Sequence, residues 1–255
     1  MPRRPRLDMV GYYHIVNRGV DKRVVYKDKE DYEHFLELLC SASLIYDVKV
    51  HSYVLMSNHY HLLIETSQEN LSQYMKHINA SYAIYFNKKY KRSGHLWQGR
   101  FKSWYVTDES YLYALVAYIE YNPVKAKMVK TLGIYEYSSY LAFSEERESI
   151  SCLKNSLVFE MYSNVVERLE FIEFSYNERI LQEITKASNL VISAVKIKKL
   201  DEKKLRKELA KVKNLSERNV VVYNASKEGF SQHSLADIVG LSQTQISRVI
   251  KKHRV

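Results

Sequence analysis

Residues 53–65 read YVLMSNHYHLLIE. The polar pair Ser57–Asn58 interrupts two apolar runs, which predicts a tight turn and therefore a hairpin of two strands. Alternate side chains of a strand project to opposite faces, so His59 and His61 share one face and Tyr60 takes the other. Two imidazoles one residue apart on a rigid apolar strand are either a packing pair or half of a metal site. Two nitrogens do not complete such a site, so a third oxygen or nitrogen must come from elsewhere in the chain.

Outward from the hairpin, the pattern is that of an α+β domain. Upstream, GYYHIVNRGV is rich in aromatic and β-branched residues and predicts a strand. KEDYEHFLELLCSASLIYD follows it with Tyr32, Phe35, Leu36, Leu39 and Leu44 at helical spacing. Downstream, NLSQYMKHINASYAIYFNKKY repeats that spacing with Leu71, Tyr74, Met75, Ile78, Tyr82 and Tyr85. FKSWYV is a further short strand, and Asp108 is placed to cap a third helix through SYLYALVAYIEYN, ending before Pro123. The order β-α-β-β-α-β-α is the split βαβ, ferredoxin-like (RRM-like) arrangement of an antiparallel sheet backed by helices, over residues 1–143.

An all-α extension follows. Residues 144–213 show helical spacing and little strand signal, which predicts a helical connector whose lysine-rich end is a solvated helix. Residues 214–255 end in SQHSLADIVGLSQTQISRVIKKHRV, with the cadence of a helix-turn-helix DNA-binding domain. Leu235, Ile238 and Val239 form one short apolar face, Gly240 makes the turn, and Ser242 caps a helix that turns Ile246, Val249 and Ile250 inward. Gln243, Thr244, Gln245 and Arg248 then point outward, where base edges or phosphates are met.

The net charge of +10 and a pI near 9.3 favour an anionic partner, nucleic acid above all. Charge comes in blocks: residues 76–102 carry seven Lys and Arg and no acid, whereas 145–183 carry nine Glu against four basic residues. In the acid-free block Lys88, Lys89, Lys91, Arg92, Arg100 and Lys102 surround Tyr90, His95, Trp97 and Phe101. Cations follow a phosphate backbone while aromatic rings stack unpaired bases, as a folded single strand or hairpin requires; alternatively the aromatics are core and the lysines solubilise. Arg3, Arg4 and Arg6 suggest an N-terminal arm on DNA. Cys40 and Cys152 sit in apolar contexts without ligand spacing and read as buried thiols, not a disulfide, as suits a reducing cytoplasm. With no apolar run of about 18 residues and no apolar stretch behind the basic N-terminus, the expectation is a soluble cytoplasmic, nucleoid-associated protein.

YIEYNPVKA supplies the missing donor. Tyr118 and Asn122 are four apart and share one helical face, although a core aromatic and a helix-ending cap would look the same. A phenol with a pKa of about 10 is a poor nucleophile until a nearby cation makes its oxyanion accessible, and the same cation would polarise a phosphodiester. Attack would conserve the broken bond as phosphotyrosine, which DNA rearrangement needs and hydrolysis does not. Tyr121 is a lesser candidate nucleophile; His51 on the preceding strand could approach the same region, but a packing or surface role is favoured for it.

HYH at 59–61 after HSYVLMSN, the segment NLSQYMKHINASYAIYFNKKYKRSGHLWQGRFKS, and SYLYALVAYIEYNPVKAKMV together resemble the single-tyrosine transposases that carry an HUH motif. The resemblance is to the REP-associated tyrosine transposases in particular and spans roughly residues 8–143. It implies that His59 and His61 are metal ligands and that Tyr118 attaches to the 5′ phosphate of cleaved single-stranded DNA, leaving a free 3′-OH. It also implies that Asn122 completes the site of a divalent ion, Mg²⁺ or Mn²⁺. The C-terminal extension lies outside it. Two rivals stand beside a transposase or nickase: a non-catalytic DNA-binding regulator working through the tail, and a metal-dependent phosphodiesterase with no covalent step.

Overall fold

A Ser-Asn turn flanked by apolar strands folds as its chemistry requires. In the computed structural model, which describes residues 8–176, 202–212, 214–228 and 232–253, strand β2 (Val48–Met56) turns at Ser57 and Asn58 into β3 (His59–Thr66). Strand β1 (Gly11–Arg18) pairs with the other edge of β3, and β4 (Lys102–Val106) completes a four-stranded sheet in the order β2-β3-β1-β4. Every neighbouring pair is antiparallel, so the split βαβ expectation holds strand by strand.

Helices α1 (Lys29–Tyr46) and α2 (Leu71–Lys89) cover one face of the sheet. The Asp28 carboxylate accepts from the Asp31 amide at 3.1 Å and starts α1; Asp47, in the left-handed region at φ 51°, ends it. Tyr60, Leu62 and Ile64 of β3 point into this layer with no exposed surface, and the Tyr60 ring lies 4.9 Å from that of Phe35. Helix α3 (Glu109–Glu120) begins at Asp108, whose carboxylate accepts from the Tyr111 amide at 3.1 Å. Its Ala114–Glu120 end lies on the other face of the sheet.

The chain then returns along the β2 edge. After α4 (Asn122–Lys125), the Leu55 amide donates to the Tyr137 carbonyl at 2.9 Å and the Ser139 amide to the Tyr53 carbonyl at 3.0 Å. This covers an edge that would otherwise expose its backbone groups. Glu120, 2 % exposed, fastens the return: its carboxylate accepts from Ser52 Oγ at 2.8 Å, from the Tyr140 amide at 3.0 Å, and from Ser139 Oγ.

Helices α5 (Tyr140–Phe143), α6 (Leu157–Met161) and α7 (Val165–Phe174) belong to the same unit as the sheet. Buried Arg168 of α7 donates to the carbonyls of Phe143, Tyr162 and Ser163 and pairs with Glu145. His51 sits where β2 bulges between Val50 and Ser52, and its Nδ1 accepts from the Leu157 amide at the start of α6, at 3.0 Å. The expected connector therefore divides: residues up to 176 lie with the sheet, and 177–201 lie outside the described residues.

Cys40 and Cys152 form a disulfide, correcting the expectation of two thiols. The 3₁₀ turn Ser151–Leu153 comes against α1 and brings the two Cα atoms within 4.9 Å, a proximity that a separation of 112 residues concealed.

A second unit comprises Asp108–Tyr113 and Val195–Val255. Its described helices are α8 (Glu202–Leu209), α9 (Leu215–Glu228), α10 (Gln232–Val239) and α11 (Gln243–Lys252), with Leu205, Val222, Ala225, Leu235, Ala236, Ile246 and Ile250 buried. Among the described residues no helix is long and apolar enough to cross a membrane.

Burial pushes the Glu120 carboxyl up from 4.5 to about 7, against the opposing pull of its hydrogen bonds from Ser139 and Ser52. Between those values the folded chain holds a proton that the unfolded chain has released. The contribution to stability is complete below 4.5 and is lost as the pH rises through 7. Glu120→Gln is expected to flatten the fall in melting temperature between about pH 5 and pH 8 that the wild type shows, measured by scanning fluorimetry across that range. An unchanged slope would assign the titration to another group.

Candidate active site

Residues directly opposite in an antiparallel pair share a face. His61 stands opposite Val16 and Val54, His59 opposite Arg18 and Met56, and His14 opposite Leu63 and Trp104. The register therefore gathers His14, Arg18, His59, His61 and Lys102 on the face away from α1 and α2, where the end of α3 meets them. The His61 and Tyr118 ring centroids are 5.6 Å apart, His14 and Tyr118 5.7 Å, and His59 and His61 5.2 Å.

A cleft of about 490 Å³ opens here, lined by His59, His61, Tyr118 and Asn122 and by the cationic side chains of Arg18, Arg100 and Lys102. Asn122 Nδ2 donates to the Tyr118 carbonyl at 2.7 Å, a bond that fixes the amide plane one helical turn beyond the tyrosine. The Lys125 ammonium sits 4.8 Å from the Tyr118 ring centroid, within cation–π range.

Burial and then the charge of Arg18 lower the His59 pKa to about 4. Burial lowers His14 to about 3, and burial with the neighbouring imidazoles takes His61 well below its usual value. All three rings are thus neutral near pH 7, each with one N–H and one lone pair. His59 Nδ1 lies 2.6 Å from Asn58 Oδ1, which can only accept, so the proton is on Nδ1 and the lone pair on Nε2. His61 Nδ1 lies 3.0 Å from His14 Nε2. If His61 donates in that bond, it too presents Nε2 as its lone pair.

Among the described residues no group of three His, Cys, Asp or Glu is disposed to hold an ion; the cleft lining offers the two imidazoles with the amides of Asn17, Gln98 and Asn122 and the Tyr118 phenol. Neutral imidazoles held through their second nitrogens, beside a neutral oxygen donor, fit a divalent cation that also takes water and phosphate oxygens. Nitrogen donors suit Mn²⁺ better than Mg²⁺.

The other candidates scatter. Lys89 is held by Asp28, Glu30 and Asp31 at 2.8, 2.9 and 3.0 Å, so its charge is engaged at the start of α1. The Trp97 ring packs on Tyr60 and Tyr82, and its N–H donates to the Asn79 carbonyl at 2.9 Å. Arg92 covers the Phe86 ring, while Lys88, Lys91 and His95 are exposed. Tyr121 stacks on Tyr176 at 4.3 Å and is not part of the cleft lining. Arg3, Arg4 and Arg6 lie outside the described residues. Thr244, Gln245 and Arg248 are exposed, and Gln243 is the first residue of α11. Sequence reasoning passed over His14, Arg18 and Lys125. The alternation in GYYHIVNR puts His14 and Arg18 on one face, but only the pairing with β3 shows which face it is.

Residues 9–122 match the model of the family described as IS200-like transposases. A solved structure of a REP-associated tyrosine transposase bound to a REP hairpin superposes with a TM-score of 0.49 at 17 % identity, over 58 % of this chain and 87 % of that one. No curated protein matches the chain significantly. The sheet, α1, α2, α3 and the four side chains at the cleft all fall within the matched residues, so this part of the chain is similar to the IS200-like transposases.

Proposed function

We propose that the protein is a metal-dependent single-tyrosine DNA transposase or nickase that cuts and rejoins single-stranded, hairpin-associated DNA. One observation supports this above all: His59 and His61 of β3, Tyr118 of α3 and Asn122 at the start of α4 line one cleft with Arg18, Arg100 and Lys102.

The three cations offer a phosphodiester a site where its charge is met on the cleft walls. Tyr118 Oη attacks phosphorus in line with the 3′ oxygen. The P–O3′ bond breaks, the phenolic proton passes to solvent, and the departing 3′ oxygen takes a proton to become a free 3′-OH. The new bond is a 5′-phosphotyrosine, and attack by a 3′-OH along the reverse path restores the strand. The Lys125 ammonium lies over the Tyr118 ring and adds a further positive charge beside the attacking tyrosine. His59, His61 and Asn122 would hold a divalent cation, which when bound neutralises charge on the non-bridging phosphate oxygens. His14 is a positioning residue: its Nε2 lies 3.0 Å from His61 Nδ1, and by accepting there it would hold the His61 ring with Nε2 as the lone pair.

Incubation with a labelled single-stranded hairpin and Mn²⁺, resolved on a denaturing gel, is expected to give a covalent protein–DNA adduct. The adduct should be absent in Tyr118→Phe and in EDTA. Cleavage without an adduct would replace the proposal with a phosphodiesterase, and binding without cleavage would replace it with a regulator.

The role of His14 is read from metal binding rather than activity. His14→Leu should weaken Mn²⁺ affinity by about 10- to 100-fold in calorimetric titration. His14→Gln, whose amide oxygen can still accept from His61 Nδ1, should recover part of the loss. Equal affinities in all three proteins would remove His14 from the site.

A further inference from the structure

The helices α10 and α11 have no part in the cleft chemistry. Helix α10 ends in a left-handed residue, Gly240 at φ 71°, whose amide and that of Leu241 both donate to the Ala236 carbonyl, at 2.8 and 3.1 Å. Two residues later α11 begins with a reciprocal cap. Ser242 Oγ accepts from the Gln245 amide at 3.2 Å, and Gln245 Oε1 accepts from the Ser242 amide at 2.9 Å. The short turn is thus pinned from both sides. Behind it Leu235, Ala236, Ile246 and Ile250 pack with Val222 and Ala225 of α9, and the His253 ring meets that of Tyr223 at 5.9 Å.

This packing divides α11 into two faces. At about 100° per residue, Ile246 and Ile250 lie on the side opposite Thr244, Arg248 and Lys252, which follow one another four residues apart within about 80° of arc. Those three are exposed. Arg248 and Lys252 put two positive charges on this face, and the sequence of residues 240–255 holds no Asp or Glu, which suits a polyanion. Gln245, although exposed, has its side-chain oxygen committed to the cap.

We propose that α10 and α11 form a helix-turn-helix that reads double-stranded DNA, with Thr244 and Arg248 as the base-reading pair, Lys252 on the backbone, and Gln245 as a cap rather than a reader. A second helix held by a pinned turn presents its first turns to the major groove. A threonine and an arginine stacked one turn apart offer a hydroxyl and methyl for one base pair and a bidentate donor for a guanine. The duplex is a ligand separate from the single strand assigned to the cleft, so one protein would hold a fixed duplex address while it acts on an adjacent hairpin.

The test uses the full chain in EDTA, where no strand is cut. The protein is taken through rounds of selection on random-sequence duplexes of about 25 base pairs, and binding of the selected duplex is measured by fluorescence anisotropy. A shared motif should emerge. Arg248→Ala should weaken binding to it about tenfold or more, and Thr244→Ala should relax preference at a base pair adjacent to the one Arg248 reads. Arg248→Lys should keep non-specific affinity but lose most of the preference. All three variants should retain the wild-type melting temperature and hairpin adduct formation. Failure to enrich a motif overturns the proposal, as does a motif whose affinity is unchanged in Arg248→Ala. Loss of hairpin cleavage with duplex selection intact would count against the tyrosine mechanism alone.

Discussion

Everything at the cleft depends on the register of β3 between β1 and β2. The strand is lined on both sides, so its alternation carries two incompatible loads. Tyr60, Leu62 and Ile64 fill the layer under α1 and α2, while His59 and His61 take the other face. A slip of one residue would exchange them, putting two imidazoles into an apolar layer and three large apolar groups into a polar cleft. Each unpaired imidazole so buried costs about 1–3 kcal/mol, and each apolar side chain forfeits about 1.5–3 kcal/mol of burial. The pairing that completes the core is therefore also the pairing that sets the two histidines side by side.

The return of the chain uses a different resource, buried polar groups that are satisfied from several elements at once. Glu120 joins α3 to Ser52 of β2 and to the Ser139–Tyr140 peptide, so the helix bearing Tyr118 is tied to the strand beside the histidines. Arg168 and His51 do the same for α7 and α6, with carbonyls and an amide as partners. Polar networks of this kind are costly when half-formed and specific when complete. They orient elements that hydrophobic contact alone would leave free to slide.

Most of this fold was legible because its signals are local. Turn chemistry marked Ser57–Asn58, periods of 2 and 3.6 marked the strands and helices, and Asp108 and Ser242 announced helix starts. Tyr118 and Asn122 were legible as a pair because a helix brings residues four apart together wherever it lies. What escaped was non-local. The Cys40–Cys152 bond spans 112 residues, and no local pattern encodes it. His14 looked like any strand residue until β1 took its place beside β3. The partner of buried His51, the Leu157 amide, lies 106 residues away, and no local pattern names it.

Charge was the least transferable of the sequence signals, because a cation's position in the list says nothing of its partner. Lys89 belongs to the acid-free block, yet three carboxylates from α1 surround its ammonium. Arg100 and Lys102, a few residues later, turn to the cleft with Arg18 from the neighbouring strand. The charge of Arg18 has two effects that work together. It raises the local potential toward an incoming phosphate, and it depresses the affinity of His59 for a proton. Imidazoles that stay unprotonated keep their lone pairs available, and the nearby arginine that helps keep them so also adds positive charge to the cleft wall. Had a carboxylate occupied that position, it would have favoured the imidazolium and repelled the phosphate. The basic rim and the neutral histidines are consequently one electrostatic arrangement, set by the pairing of Arg18 opposite His59.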